Sequence, residues 1–377
     1  MKILFLFLFS LLVSQAQELP PVLGEPPALS AEDWKKRVRP RIFEAFETQV
    51  YGKAPVEKPP ILSFKQIGED REVMDGAAVL QVVEISYKAK AESDEGRFKL
   101  VLYRPKESAE PAPVMLFICN RGWDQIDPER TEWSGYWPAE TMVKRGYVAA
   151  AFFNGEVDPD EADDFKKGVH ALFEMKKDGS DWGTIAAWGW GASRALDYFE
   201  AVPEIDHARV GLIGHSRGGK AALWAGARDE RFALTVANES GCTGAALARR
   251  KIGERVKRIN DVFPHWFCGN YKNWNEREDE MPVDQHQLVA LMAPRLVYVA
   301  SAEQDKWADP EGEFLAARAA GPVYELFGEK GVGSEKMPEV GQPLHMGAIG
   351  YHIREGRHNL RGDDWGHFLD FADYHWR

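Results

Sequence analysis

The sequence predicts an α/β fold of three layers, with a mostly parallel sheet between helices and an antiparallel N-terminal part. Two continuous apolar runs, "PVMLFICN" (113–120) and "GYVAAAFFN" (146–154), read as strands buried on both faces, as a parallel sheet requires. Helix-like segments alternate with further apolar strands through the second half of the chain. The first half instead alternates apolar and polar residues, the pattern of half-buried antiparallel strands.

The 377 residues contain 44% hydrophobic and 28% charged residues, ordinary for a globular chain with a large core. The N-terminus "MKILFLFLFSLLVSQAQELP" has one basic residue and an apolar stretch from Ile3 to Val13 that is too short to span a bilayer. Ser14-Gln15-Ala16 then supplies small residues where a signal peptidase cuts. Residues 1–16 read as a secretory signal. The mature chain, 17–377, is expected to be one catalytic domain, secreted or periplasmic, free of the membrane and monomeric. A Pro-rich stretch leads to Ser30, an N-cap with Asp33 three residues on, and to a helix from Ala31 to about Val50. Strands are expected at 61–68, 74–88 and 98–105, the last ended by Pro105.

After the two buried strands, "TIAAWGWGASRALDYFEA" reads as a long helix and "RVGLIG" as a strand running into a helix from about Arg217. "FALTVANES", "RLVYVASAE" and "GPVYELFG" read as strands, and "DPEGEFLAARAA" and "DDWGHFLDFADYHW" as helices. Cys119 reads as a small buried hydrophobe. Export permits a disulfide, and Cys242 and Cys268, both in loops after strands, are the favoured pair. No C-x-x-C or other metal-ligand spacing is present, so no structural zinc is expected. The net charge of −12 argues against a nucleic-acid partner.

Gly214-His215-Ser216-Arg217-Gly218 fits G-x-S-x-G, with a strand before it and a helix after it. Small neighbours let the backbone turn sharply, so that the serine stands at the sheet edge beside a helix N-terminus able to stabilise an anion. That context points to the α/β-hydrolase arrangement; the competing reading is a serine that only caps a helix. A serine nucleophile needs a base, and the base an orienting acid. In the chain order Ser, acid, His, the base comes from the C-terminal histidines. His358, in a polar loop before the last helix, is preferred over His345 and His352; His367 and His375 fall inside the helix. Glu239 and Asp305 each follow a strand beyond the serine, and either could orient His358.

"GHSRGGKAALWAGARDERFALTVANESG" resembles the nucleophile region of the glucuronoyl esterases, carbohydrate esterase family fifteen, whose elbow has the form G-x-S-R-x-G-K. "DVFPHWFC", "QDKWADPEGEF" and the His358 loop before "DWGHFLDFADYHW" are similar to the same family. The resemblance runs from about Leu100 onward. It implies a serine esterase, without metal or cofactor, that cleaves esters between (4-O-methyl-)glucuronic acid on xylan and lignin alcohols. It also implies that Arg217 stabilises the oxyanion, and that Lys220, Glu254 and Trp307 form the sugar pocket. Read without it, these would be a solvated lysine, a surface acid and a packing tryptophan. "CNRGWDQIDPERTEW" departs from the family pattern, with Arg121, Trp123 and Asp124 near the rim. The alternatives are an acetyl-xylan esterase on the same fold and an inactive carbohydrate-binding homologue.

Overall fold

A computed structural model describes residues 18–377 except 56, 109 and 131. The expected signal segment, 1–16, lies outside the described residues. Among those residues ten strands form one sheet: β1 Ile61–Gln66, β2 Arg71–Val73, β3 Ala78–Lys88, β4 Gly96–Pro105, β5 Ala112–Cys119, β6 Val148–Phe153, β7 Ile205–His215, β8 Leu234–Asn238, β9 Leu296–Ala302 and β10 Ile349–Arg354. The order is β1-β3-β4-β6-β5-β7-β8-β9-β10, with β2 on β3. Pairing is antiparallel from β1 to the β4–β6 contact and parallel from β6 to β10. β5, β8 and β10 are buried along their whole length, because helices cover both faces. The edge strand β1 leaves alternate residues exposed.

The helices Thr184–Phe199 and Arg217–Arg228 bring Trp188, Leu223 and Trp224 to one face. The helices Ala139–Lys144 and Gly362–Trp376 bring Met142, Trp365 and Phe368 to the other. The N-terminal helical run begins as expected at Ser30, whose hydroxyl accepts from the Asp33 N–H at 3.1 Å. It continues to Tyr51 through two π-helical turns, Trp34–Val38 and Glu47–Tyr51. Its Phe43 and Tyr51 rings sandwich Trp224, with centroids at 5.2 and 4.5 Å, and so pin it against the helix that follows Ser216.

Two expectations are corrected. "GPVYELFG" forms a helix over Gly321–Leu326, because Pro322 in its first turn favours helix and a short apolar run does not distinguish helix from strand. The last parallel strand is instead β10. The expected Cys242–Cys268 disulfide is absent: all three cysteines are free and buried. The Cys268 thiol donates to the Thr48 carbonyl, whereas that of Cys242 lies against the Thr243 hydroxyl. Burial pushes the thiols of Cys119 and Cys242 up to about 12 and that of Cys268 to about 11.

The parallel register places the C-terminal ends of β5, β7, β8, β9 and β10 along one edge of the sheet, with His215 paired to Asn238 and Arg354 to Ala302. The segments leaving that edge carry the candidate site. No helix among the described residues is long and apolar enough to cross a membrane.

Candidate active site

Ser216 joins β7 to the helix Arg217–Arg228 with φ 56° and ψ −125°, a conformation that costs a side-chain-bearing residue about 1–3 kcal/mol. The turn is that tight because its flanks lack side chains. A Cβ on Gly214 would lie 2.0 Å from the Gly218 carbonyl oxygen, and one on Gly218 would lie 3.1 Å from that of Ile118. The Ser216 N–H donates to the Asn238 carbonyl on β8 at 2.9 Å, and the Ser216 carbonyl accepts from the Gly219 and Lys220 N–H groups at 2.9 and 3.2 Å, the first bonds of the helix.

Of the C-terminal histidines, His358 is the one brought to this turn. Its ring centroid lies 4.6 Å from that of His215, the residue before Ser216. Its Nδ1 faces Asp305 Oδ2 at 2.6 Å and Glu239 Oε2 at 3.2 Å, so both candidate acids reach one nitrogen. Both carboxylates are buried. Burial alone would lower the basicity of His358, but the two carboxylates more than offset it and raise its pKa to about 9. Burial raises Glu239 to about 7 against the pull of His358 and of Arg354. His352 and His345 are placed elsewhere: His352 is buried on β10 between Tyr298 and Asp364, and His345 bonds the Tyr298 hydroxyl.

Behind the acids is a residue that the sequence reading passed over. Arg354, at the end of β10, donates to Glu239 Oε1 and, through Nε, to both oxygens of Asp364 at 2.9 and 3.0 Å. The Asn359 N–H donates to Glu239 Oε2 at 3.0 Å. Glu239 is thus fixed from both ends. The sequence signal was an arginine closing an otherwise apolar run shortly before the histidine loop. Glu239, Asp305 and His358 present atoms within 4.8 Å of one another and could in geometry hold a cation. The buried Arg354 charge already neutralises Glu239 there, which works against a second cation.

Arg217 lies with its guanidinium over the rings of Trp266 and Phe263, at 4.7 and 5.1 Å, and its Nη1 pairs with Asp160. Asp160, unremarked in the sequence, also accepts from His265 and Trp266. Burial opposes its ionisation, yet these partners and Arg217 hold its carboxyl at about 2. Lys220 is buried, and its ammonium donates to the Ser240 and Cys242 carbonyls and to Glu254 Oε2, at 2.7, 2.5 and 2.6 Å. All three of its N–H donors are thereby engaged. Glu254 is half-buried, and its N–H bonds the Trp307 carbonyl at 2.8 Å. The Trp307 side chain itself stays 53% exposed, available as a wall. At the rim, Trp123 is tied to Glu156 and Asp124 to Gln125.

Comparisons with known proteins identify the family. A family model described as glucuronyl esterase, fungi, matches residues 88–328. A carbohydrate esterase from an unknown prokaryotic organism is 40% identical over 378 residues, covering 92% of this chain and 86% of that protein. The 4-O-methyl-glucuronoyl methylesterase of Phanerochaete carnosa is 30% identical over 48% of this chain, which spans 47% of that relative. Among solved structures, a glucuronoyl esterase from Solibacter usitatus superposes with a TM-score of 0.88 at 42% identity, covering 96% of this chain and 99% of that one. A promiscuous esterase of carbohydrate esterase family fifteen from a marine bacterial metagenome gives 0.87 at 38% identity, with coverages of 95% and 97%. With more than half of the chain inside the family model and most of both lengths shared with the prokaryotic relative, the protein belongs to the glucuronoyl esterases, carboxylic ester hydrolases on the α/β-hydrolase fold.

Proposed function

We propose that the protein is an exported single-domain enzyme that hydrolyses the ester joining (4-O-methyl-)glucuronic acid on xylan to a lignin alcohol, through an acyl-enzyme on Ser216. The observation that carries this reading is a histidine held between two buried carboxylates beside a strained serine, with a Lys220–Glu254 pair opening next to an exposed tryptophan. His358 takes the Ser216 proton as Oγ attacks the carbonyl. The oxyanion forms near the start of the helix Arg217–Arg228, and Arg217, locked by Asp160 and two rings, adds fixed positive charge. The imidazolium returns the proton to the leaving alcohol, and water then repeats the sequence on the acyl-enzyme. Glu254 accepts from sugar hydroxyls. Lys220 holds Glu254 in place and reaches a hydroxyl itself only by giving up one of its three bonds. Trp307 supports the apolar face of the ring.

The test separates this pocket from that of a simple esterase. Glu254→Ala and Lys220→Met are expected to lower kcat/KM on benzyl glucuronate by about tenfold to a hundredfold, the worth of a hydrogen bond to a charged group. Turnover of p-nitrophenyl acetate, which lacks the sugar, should fall far less. Equal losses on both substrates would assign these residues to fold or to general catalysis and favour the acetyl-esterase reading.

The pH profile offers a second check. Only the neutral imidazole can accept the serine proton, and His358 is raised to about 9, so kcat/KM should climb with pH from neutrality towards about 9. Asp305→Asn removes one of the charges that stabilise the imidazolium. The acid limb should then move to lower pH by about one to three units. A limb that stays in place would mean that Asp305 does not act on the base.

A further inference from the structure

Strand order gives the site two sides. β5 lies on one side of the serine strand β7, and β8 followed by β9 on the other. Lys220 bonds the connection after β8, and Glu254 and Trp307 lie on the connections after β8 and β9, so the sugar assignment above occupies that side. An ester places its acyl and alcohol parts on opposite sides of the reacting carbon. The alcohol therefore points towards the residues that leave β5.

The first cation there is Arg121, two residues past the end of β5 and exposed. Its Nη1 donates to Asn359 Oδ1 at 2.9 Å, next to His358. Its Nη2 faces His215 Nε2 at 3.3 Å, next to Ser216. The guanidinium lies 4.3 Å from the centroid of the Tyr136 ring, whose hydroxyl is fixed by Asn120 at 2.6 Å. His215 is buried and donates from Nδ1 to Asn238 Oδ1 at 2.6 Å, so its Nε2 is a neutral acceptor. Every partner of Arg121 is thus uncharged, and it forms no ion pair among the described residues. In a chain of net charge −12, Arg217 beside the serine is paired with Asp160, and Arg354 behind the acids with Glu239 and Asp364. Arg121 is held in one orientation by three neutral groups, uses two of its five N–H donors on them, and keeps its charge uncompensated at the mouth of the site.

We propose that Arg121 is a specificity-determining residue on the alcohol side, selecting leaving alcohols that carry an anionic group, a carboxylate above all. The inference rests on the sugar assignment made above. An alcohol whose carboxylate reaches the free edge of the guanidinium gains a charge-assisted pair that a neutral alcohol of the same shape does not. The pair would draw the carbonyl into line with Ser216 and His358, both of which adjoin residues that Arg121 touches.

The test uses two glucuronate esters alike in sugar and ring, one of 4-carboxybenzyl alcohol and one of 4-carbamoylbenzyl alcohol. The readout is the ratio of their kcat/KM values within each variant, which cancels any loss common to both. The full-length protein should favour the carboxylate ester by about tenfold or more. Arg121→Gln should bring the ratio close to one, Arg121→Lys should retain part of it, and added salt should shrink it in the wild type and in Arg121→Lys but leave Arg121→Gln unchanged. An unchanged ratio in Arg121→Gln, or no preference in the wild type, would overturn the proposal. A second arm needs no turnover: 4-(hydroxymethyl)benzoate should bind Ser216→Ala by calorimetry and bind the Ser216→Ala/Arg121→Gln double variant at least tenfold more weakly. Equal binding, or none to either, also overturns it. A failed sugar assignment would show instead in the Lys220 and Glu254 comparison, while this binding arm stays readable.

Discussion

Ser216→Ala is expected to lower kcat on a glucuronate ester by about five to six orders of magnitude, the loss seen when a nucleophile that works jointly with its base is removed. In the proposed mechanism the hydroxyl supplies the bond that holds the acyl group between the two half-reactions. Its loss leaves oxyanion and binding contributions but no covalent route. The substitution removes one oxygen at a half-buried position already held at φ 56°, where alanine meets the same backbone strain as serine. Folding should therefore survive, and thermal melting should coincide with that of the wild type. Steady-state turnover and a burst experiment provide the measurement. A well-folded variant within tenfold of wild-type turnover would remove Ser216 from the chemistry.

The second large effect concerns the two carboxylates on His358. Asp305→Asn and Glu239→Gln are each expected to lose only part of kcat, because the remaining acid still reaches Nδ1. The double variant should fall by about four orders of magnitude, as when an imidazole loses its only orienting carboxylate. Asp305, at 2.6 Å against 3.2 Å, should be the costlier single loss. Glutamine is chosen at position 239 because truncation would also strip a partner from buried Arg354, a change that costs about 3–5 kcal/mol when it leaves a charge unpaired. A single variant as slow as the double would show that one acid alone completes the triad.

What the sequence disclosed and what it withheld divide along physical lines. The elbow was legible because its cause is local: two glycines four residues apart permit the turn that Ser216 makes. Glu239 and Asp305 could be placed because each follows a strand whose parallel setting delivers its C-terminal end to the same edge, and His358 because it lies beyond them in the polar loop before the last helix. β10 was missed and the Gly321–Leu326 helix taken for a strand for one shared reason: six apolar-rich residues carry too few periods to distinguish the two. With β10 unseen, Arg354 had no address, and neither did its bridge from Asp364 to Glu239. Asp160 was silent because its partners Arg217, His265 and Trp266 meet it only across long loops, and nothing in the pattern of one segment encodes a contact with another. The disulfide expectation erred by reading loop position as proximity.

The three thiols have a consequence for how the protein can be made. Each is unpaired and buried, and each is held far above the acidity at which sulfur attacks sulfur at neutral pH. The native chain thus has no cross-link to form, isomerise or lose. A reducing cytosol should serve as well as an oxidising culture medium for manufacture, and a refolding protocol needs neither a redox couple nor an isomerase.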